Sequence, residues 1–314
     1  MAVLRPPVEP ALASAQRHVP RSTAHARLAF EPKLDGWRGL LFSGEGVLQS
    51  RRGTNLSARF PELVAAARPL GDVVLDGEIV ALREGRLDFV ALAAGAHRRS
   101  VAGVVVYYVA FDLLAHDEHD LRDRPYAHRR ARLEEVMTAV APPLQLVPST
   151  TDREQALAWM RPAVSVVGIE GLVAKCLDRP YRAGRGGDWI KVRQHVVVDA
   201  VVIGVTGPPE HPSELVLARP DAHGRLRRIG LSHPLPQNLR TPAGHLVTTT
   251  GDAPRTISTG LFGAGAGTEY LPVHPSLVVE VRAEGAVLAF SNRLRPTVQR
   301  LRPDLTPDDL TPSP

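Results

Sequence analysis

The sequence predicts an α+β fold over residues 1–194 followed by a small all-β barrel over residues 195–314. Three observations carry this. Strand-like apolar runs at Val73 to Leu82, Val104 to Leu114 and Ile169 to Lys175 mix with helical patterns, without the strict strand–helix–strand order of a doubly wound sheet. After Arg193 the helical patterns give way to short apolar runs separated by Pro-, Gly- and His-rich loops. The 314 residues also suit two domains, at about 100–200 residues each.

In chain order, residues up to about Ala26 are rich in Pro, Ala and Arg without a sustained period and read as an irregular arm. Pro61, between Phe60 and Glu62-Leu63, suits a first helical position. From Tyr126 to Val140, Leu133, Val136, Met137 and Val140 recur at helical spacing. Thr151 and Glu154 have the spacing of a capping box before Leu157 and Met160. The boundary belongs near Gln194–His195. Beyond it, Val196-Val197-Val198, Val201-Val202-Ile203, Leu215 to Ala218, Leu226 to Gly230, Leu277 to Arg282 and Val287 to Phe290 read as strands, with no long helix between them. No internal repeat is evident.

Bulk properties exclude several classes. A hydrophobic content of 44% with 23% charged residues is that of an ordinary globular chain. No apolar run approaches the ~20 residues of a membrane span. Arg5, Pro6, Pro7 and Pro10 break any leader pattern, so a cytoplasmic location is expected. Cys176 stands alone, which rules out an internal disulfide or a multi-cysteine zinc site. A net charge of +5 and a pI near 9.8 favour a polyanionic partner, although an arginine-rich solvated surface has the same composition.

The chemically dense segment is Glu31-Pro32-Lys33-Leu34-Asp35-Gly36-Trp37-Arg38. A lysine is nucleophilic only as the free amine, which desolvation or neighbouring positive charge favours. Arg38 and a metal-bound phosphate are candidate sources of that charge, and Gly36 suits a tight turn bringing Lys33 and Arg38 to one pocket. In isolation, a Lys-Asp-Gly surface turn reads the same way. Other segments add to it. Val73-Val74-Leu75-Asp76-Gly77-Glu78 ends an apolar strand on two carboxylates, and Ile169-Glu170-Gly171-Leu172-Val173-Ala174-Lys175 sets an acid and a lysine on another. Alternation in Trp189-Ile190-Lys191-Val192-Arg193 aims Lys191 and Arg193 at one face. Glu78 and Glu170 are hard-oxygen donors suited to Mg²⁺, and Lys175, Lys191 and Arg193 suit a phosphate that gains charge.

Lys33-Leu34-Asp35-Gly36-Trp37-Arg38 resembles the lysine motif of the covalent nucleotidyltransferases. The other three segments resemble that superfamily's later motifs in the same order, and Val104 to Leu114, with Phe111-Asp112, resembles the strand between them. Pro7 to Ala13, Glu31-Pro32-Lys33, Ser50-Arg51-Arg52-Gly53 and Arg59-Phe60-Pro61-Glu62-Leu63 are similar to the small bacterial ATP-dependent DNA ligases, in particular the compact actinobacterial type without an extra N-terminal DNA-binding domain. The resemblance runs over residues 5–304 and is strongest up to Arg193.

The resemblance implies a nucleotidyltransferase domain followed by an OB-fold barrel. It implies ATP and Mg²⁺ (or Mn²⁺) as cofactors, nicked duplex DNA as partner, a monomeric state and a role in DNA repair. Lys33 would attack the α-phosphorus of ATP, and the adenylate would pass to the 5′-phosphate of a nick before the 3′-hydroxyl displaces AMP. Glu31 would lie near the adenine, Phe111 would stack on it, and Arg38 and Glu78 would meet the ribose region. Glu78 and Glu170 would hold the metal, while Lys191 with Lys175 or Arg193 would hold the α-phosphate. Arg51 would meet the nick 5′-phosphate, with Asp35 also on the DNA side. The barrel would swing over the nucleotide and later clamp the duplex. Arg293-Leu294-Arg295-Pro296 and Arg300-Leu301-Arg302-Pro303-Asp304 resemble the terminal signature, with the proline displaced and Leu305 where lysine is frequent. Arg193 likewise stands where many relatives carry lysine, and a guanidinium fork is no geometric substitute for an ammonium.

An RNA ligase or capping-type guanylyltransferase shares the lysine chemistry, and an inactive nick-binding protein would share the basic surface. The Arg51 context and the barrel favour DNA ligation. His116-Asp117-Glu118-His119-Asp120 reads as a solvated loop rather than a metal site, and the glycines at 260, 263, 265 and 267 lack the Gly-Lys-Ser/Thr ending of a P-loop. Cys176 reads as a buried inert thiol, and core packing explains Trp37 and Trp189 as well as base stacking does.

Overall fold

The computed structural model describes residues 3–138, 140–161, 168–257, 267–284 and 295–312. The chain divides into two compact units, Met1–Arg193 and Gln194–Pro314.

The first unit contains, in order, β1 (Ser14–Gln16), β2 (Leu28–Leu34), β3 (Trp37–Phe42), β4 (Val47–Ser50), α1 (Pro61–Ala67), β5 (Val73–Arg83), β6 (Arg86–Leu87), α2 (Ala96–Val101), β7 (Val105–His116), β8 (His119–Asp120), α3 (Tyr126–Met137), β9 (Leu144–Leu146), α4 (Arg153–Ala158), β10 (Ile169–Cys176) and β11 (Trp189–Arg193). They form a four-stranded sheet, β1-β11-β10-β2, and a seven-stranded sheet built on β4-β3-β5-β7-β8. Alternation along each strand gives both sheets one apolar outer face. Leu28, Phe30, Leu172, Ala174 and Val192 pack with Ala156 of α4 behind the smaller sheet. Leu41, Leu75, Ile79, Tyr108 and Ala110 pack with Leu63 of α1 and Leu133 of α3 behind the larger one. The inner faces meet through Leu40, Phe42, Val74, Leu114, Phe111, Val173 and Trp189. Helices therefore clad two sheets whose inner faces carry the site.

The arm expected to be irregular is docked. Leu4, Val8 and Ala11 lie in the inner core, Gln49 exchanges hydrogen bonds with both polar groups of Val8, and β1 pairs in parallel with β11. Its prolines hid this, because they interrupt any period while leaving single apolar anchors. At α4 the cap is Asp152, which accepts from the Glu154 amide, rather than Thr151. In α3 the buried face includes Arg129 and Arg130 besides Leu133 and Met137, so polarity there reported a partner rather than solvent. The stretch from His116 to Asp120 is a β7–β8 hairpin in which Ala115 pairs with Asp120 and His116 with His119. Among the described residues no cluster of three or more His, Cys, Asp or Glu side chains suits a metal ion.

The second unit contains β12 (His195–Thr206), β13 (Glu214–Pro220), β14 (Leu226–Leu231), α5 (Gln237–Leu246), β15 (Arg255–Ile257), β16 (Thr268–Pro272), β17 (Val278–Glu284) and β18 (Thr297–Leu301). The two valine-rich runs after His195 are one long strand. Its first half pairs with β17 and its second half with β13 and β16. One curved strand shared by both halves of the sheet is how a small barrel closes, and this unit is an OB-fold barrel. Contrary to expectation it also contains a ten-residue helix, α5. Pro242 and Gly244 are poor residues for a helix interior. The helix nonetheless buries Ala243, and a Cβ on Gly244 would lie 2.1 Å from the Glu210 carbonyl oxygen. The expected strand Val287 to Phe290, the glycines at 260, 263 and 265, and Arg293-Leu294 lie outside the described residues.

Candidate active site

Register assembles one wall of the site. Across the smaller sheet Lys33 pairs with Gly171 and Gly171 with Arg193, while Glu31 pairs with Val173 and Val173 with Lys191. Ala29, Lys175 and Trp189 form the next row. Paired residues share a face, so Glu31, Lys33, Lys175, Lys191 and Arg193 all point at the same side. On the larger sheet Arg38 pairs with Glu78, two residues from Asp76 on the same face.

Two bulges place groups that regular alternation would not. Ile169 pairs with Leu34 and Gly171 with Lys33, which leaves Glu170 as the extra residue of β10. Its carboxylate closes on the Lys33 amine in an ion pair. Similarly, Gly77 pairs with Ala110 and Asp76 with Asp112, leaving Phe111 as the extra residue of β7. Bulges re-aim side chains in this way next to functional sites. Glycine permits both. A Cβ on Gly171 would sit 2.0 Å from the Val192 carbonyl oxygen, and one on Gly77 would sit 2.6 Å from the Tyr108 ring. Gly36 is required for space rather than for a left-handed turn, since its Cβ would meet the Ile79 carbonyl oxygen at 2.3 Å.

Arg38 is fixed on three sides. Its guanidinium makes a two-armed ion pair with buried Asp76, donates to the Ala11 carbonyl at 3.2 Å, and lies 4.6 Å from the Phe111 ring centroid and 5.3 Å from that of Trp189. The Tyr181 hydroxyl donates to Asp76 at 2.6 Å and accepts from the Ala11 amide at 2.9 Å. The docked arm thus completes the Arg38 socket. Asp76 and Tyr181 join the site besides the residues expected there from the sequence. Two-residue spacing from Glu78 was the signal for Asp76, because an acid on that inner face needs a cation; nothing in the sequence marks Tyr181.

Lys175 is only 1% exposed. Its ammonium lies 2.8 Å from Glu31 Oε2, donates to the Phe111 carbonyl at 2.7 Å, and sits between the rings of Phe111, Tyr126 and Trp189 at 4.6, 4.7 and 4.3 Å. Burial holds it below the usual lysine range, against the opposing pull of Glu31 and Asp112. Lys191 lies nearer the opening. Burial first, and then the positive charges of Arg193, Lys33, Arg185 and Arg51, hold its ammonium below the ordinary value. Arg51 is exposed in the turn after β4, and Arg185 belongs to the glycine-rich loop before β11. Such crowding of cations favours an anion between them.

Glu78 is partly exposed. Burial raises its carboxyl to about 7, with like charge from Asp35 and Glu170 adding to the rise and Lys33 and Arg38 opposing it. Glu78 and Glu170 are two hard carboxylates of mutually repelling charge, the donor type that suits a divalent cation completed by phosphate oxygens. Trp189 faces the site. Trp37 instead packs edge-on against Phe60 in the outer core, with the Arg59 guanidinium over its ring. In the second unit the terminal arginines are engaged locally: Arg295 with Glu214, Arg300 with Glu280, and Arg302 with Asp199 and Asp304.

Residues 10–193 match the family described as the ATP dependent DNA ligase domain. The chain belongs to that family. It is 31% identical to DNA ligase C2 of Mycolicibacterium smegmatis, over 95% of this chain and 91% of that protein. To DNA ligase C of Mycobacterium tuberculosis it is 30% identical, over 96% and 92% respectively. The crystal structure of the ligase domain of M. tuberculosis LigD superposes with a TM-score of 0.53 at 28% identity, covering 96% of this chain and 97% of that one. In this family member, among the described residues, no helix is long and apolar enough to cross a membrane.

Proposed function

We propose that this ligase-family chain uses ATP to seal nicks in duplex DNA through an AMP carried covalently on Lys33. The observation that supports this most is the shared face of Glu31, Lys33, Lys191 and Arg193 opposite Arg38 and Glu78. Val173, between Glu31 and Lys191, and Phe111, beside Arg38, offer an apolar slot for a base. Glu31 lies at the deep end of that slot, and Arg38 and Glu78 line it where a ribose would follow. Lys191 and Arg193 draw the α-phosphate toward Lys33, and the fixed cations stabilise charge as the phosphoryl group transfers. Glu170 holds the Lys33 ammonium until the triphosphate arrives. Glu78 and Glu170 would hold Mg²⁺ or Mn²⁺, which when bound neutralises charge on the reacting phosphate. Lys175 serves from beneath, where it orders Glu31 and Phe111 instead of touching phosphate. Exposed Arg51 and partly exposed Asp35 sit at the rim, where Arg51 suits the 5′-phosphate of a nick.

Incubation with labelled ATP or GTP followed by nicked DNA tests this reading. One AMP is expected on Lys33, from ATP only, and its transfer should seal the nick. Lys33→Ala should abolish labelling while keeping the fold, because the change removes one end of the Lys33–Glu170 ion pair and no apolar side chain of the core. Labelling by GTP alone, or unchanged labelling of Lys33→Ala, would overturn it. The OB-fold unit is assigned to the duplex and to the first step. Its removal should reduce sealing with ATP more than sealing of pre-adenylated nicks.

A further inference from the structure

Ala11 closes a ring of hydrogen bonds around Arg38. Its amide donates to the Tyr181 hydroxyl at 2.9 Å, and that hydroxyl donates to Asp76 Oδ2 at 2.6 Å. Asp76 holds the Arg38 guanidinium through both oxygens, and Arg38 Nη2 donates back to the Ala11 carbonyl at 3.2 Å. The ring therefore starts and ends on one residue of the arm. That part of the arm is itself fastened to the loop that carries Tyr181. The Leu12 amide donates to the Gly184 carbonyl at 2.7 Å, and the Gly184 amide to the Pro10 carbonyl at 3.1 Å. Tyr181 is buried, and burial first, with the Asp76 charge adding to it, holds its phenol well above the usual value, so it stays a neutral donor. A phenylalanine at position 181 would keep the edge-on contact with Trp189 and the contact with Arg129, so the hydroxyl is the distinctive feature there.

We infer that the Tyr181 hydroxyl and Ala11 of the arm are positioning groups that hold the Arg38 guanidinium in one orientation for the ribose hydroxyls of the nucleotide. The inference rests on the adenylation reading above, in which Arg38 lines the ribose end of the slot. Arg38 Nε and Nη2 are committed to Asp76 and Ala11, which leaves Nη1 for a ligand. A long arginine side chain ordered in advance loses less entropy when the ligand arrives. Asp76 alone does not supply that order. A carboxylate turns readily about its terminal torsion, whereas Tyr181 fills a further lone pair on Oδ2 and sets the plane of the group. Without the hydroxyl, buried Asp76 has an unfilled acceptor and the Ala11 amide loses the oxygen it donates to. Both can then move, and Arg38 with them.

The test compares self-adenylation of the full chain by ATP with nucleotidyl transfer from 2′,3′-dideoxyATP, which keeps the base and phosphates but lacks both ribose hydroxyls. Wild type should favour ATP in kcat/KM by about tenfold or more. Tyr181→Phe should lower kcat/KM for ATP by about three- to tenfold and leave the dideoxynucleotide almost unaffected, so that the preference shrinks. A purely structural role would depress both nucleotides by the same factor, and that result overturns the inference while leaving the ligase reading intact. Equal use of the two nucleotides by wild type overturns it as well. If Tyr181→Phe does not fold, Ala11→Pro, which removes the amide that donates to Tyr181, should shrink the preference in the same way, and an unchanged ratio there overturns the proposal. Absence of any nucleotidyl transfer to the wild-type chain would instead remove the ligase reading, and this inference with it.

Discussion

Glu170 reaches Lys33 from a bulge, lying between the Ile169–Leu34 and Gly171–Lys33 register pairs of β10 and β2. Gly171 makes the bulge possible, with φ +151 and no room for a Cβ against the Val192 backbone. Gly171→Ala must therefore push β11 away from β10, and Lys191 and Arg193 with it. A loss of about 1–3 kcal/mol in urea unfolding is expected, together with near-complete loss of AMP labelling. A variant that labels normally would show that this register does not set the site.

Glu170→Ala separates the acid from the bulge, since it leaves Gly171 in place. Nick sealing should fall by about tenfold or more and shift to higher Mg²⁺ demand, as expected when one of two carboxylate donors is removed. A Mg²⁺ titration of sealing rate measures this. Full activity at low Mg²⁺ would count against a metal-binding role.

Glu78 should give the metal-free chain a recognisable pH signature. Its carboxyl is raised from an ordinary 4.5 to about 7, chiefly by burial. The folded chain then retains a proton that the unfolded chain releases, so stability declines as pH rises from about 4.5 to about 7 and levels off above. Glu78→Gln, which stays neutral throughout, should flatten that slope. Urea midpoints across this window, in the presence of a chelator, report it; parallel curves for the two proteins would refute the assignment.

Asp112 and Arg129 are both 0% exposed and pair through two hydrogen bonds of 2.8 and 2.9 Å. Removing one partner strands the other charge in the core. Arg129→Met should cost about 3–5 kcal/mol, whereas the double change Asp112→Leu with Arg129→Met should recover much of that loss. Additive losses in a denaturation cycle would mean that the pair is not the unit that matters.

Strand periodicity made much of the first unit legible. The apolar runs from Val73, Val104 and Ile169 became β5, β7 and β10, and Trp189 to Arg193 became β11 with its basic residues on one face. The same alternation misled where the chain breaks period. The arm looked irregular because its anchors are single residues among prolines, and α5 was hidden by Pro242 and Gly244, whose reasons lie in the packing around them.

The sequence by itself determined which residues are candidates for the site, because Lys33, Arg38, Glu78, Glu170 and Lys191 sit in short segments whose residue types and order are readable without coordinates. Only the tertiary structure decided which of them touch. Glu170 and Phe111 point inward because bulges offset their strands by one residue, and Lys175 lies beneath Glu31 because two register pairings align it there. Tyr126, Tyr181 and the arm join the site through contacts far apart in sequence. A local pattern fixes a strand's face, whereas register, bulge and long-range hydrogen bonds arise only when separate strands pair.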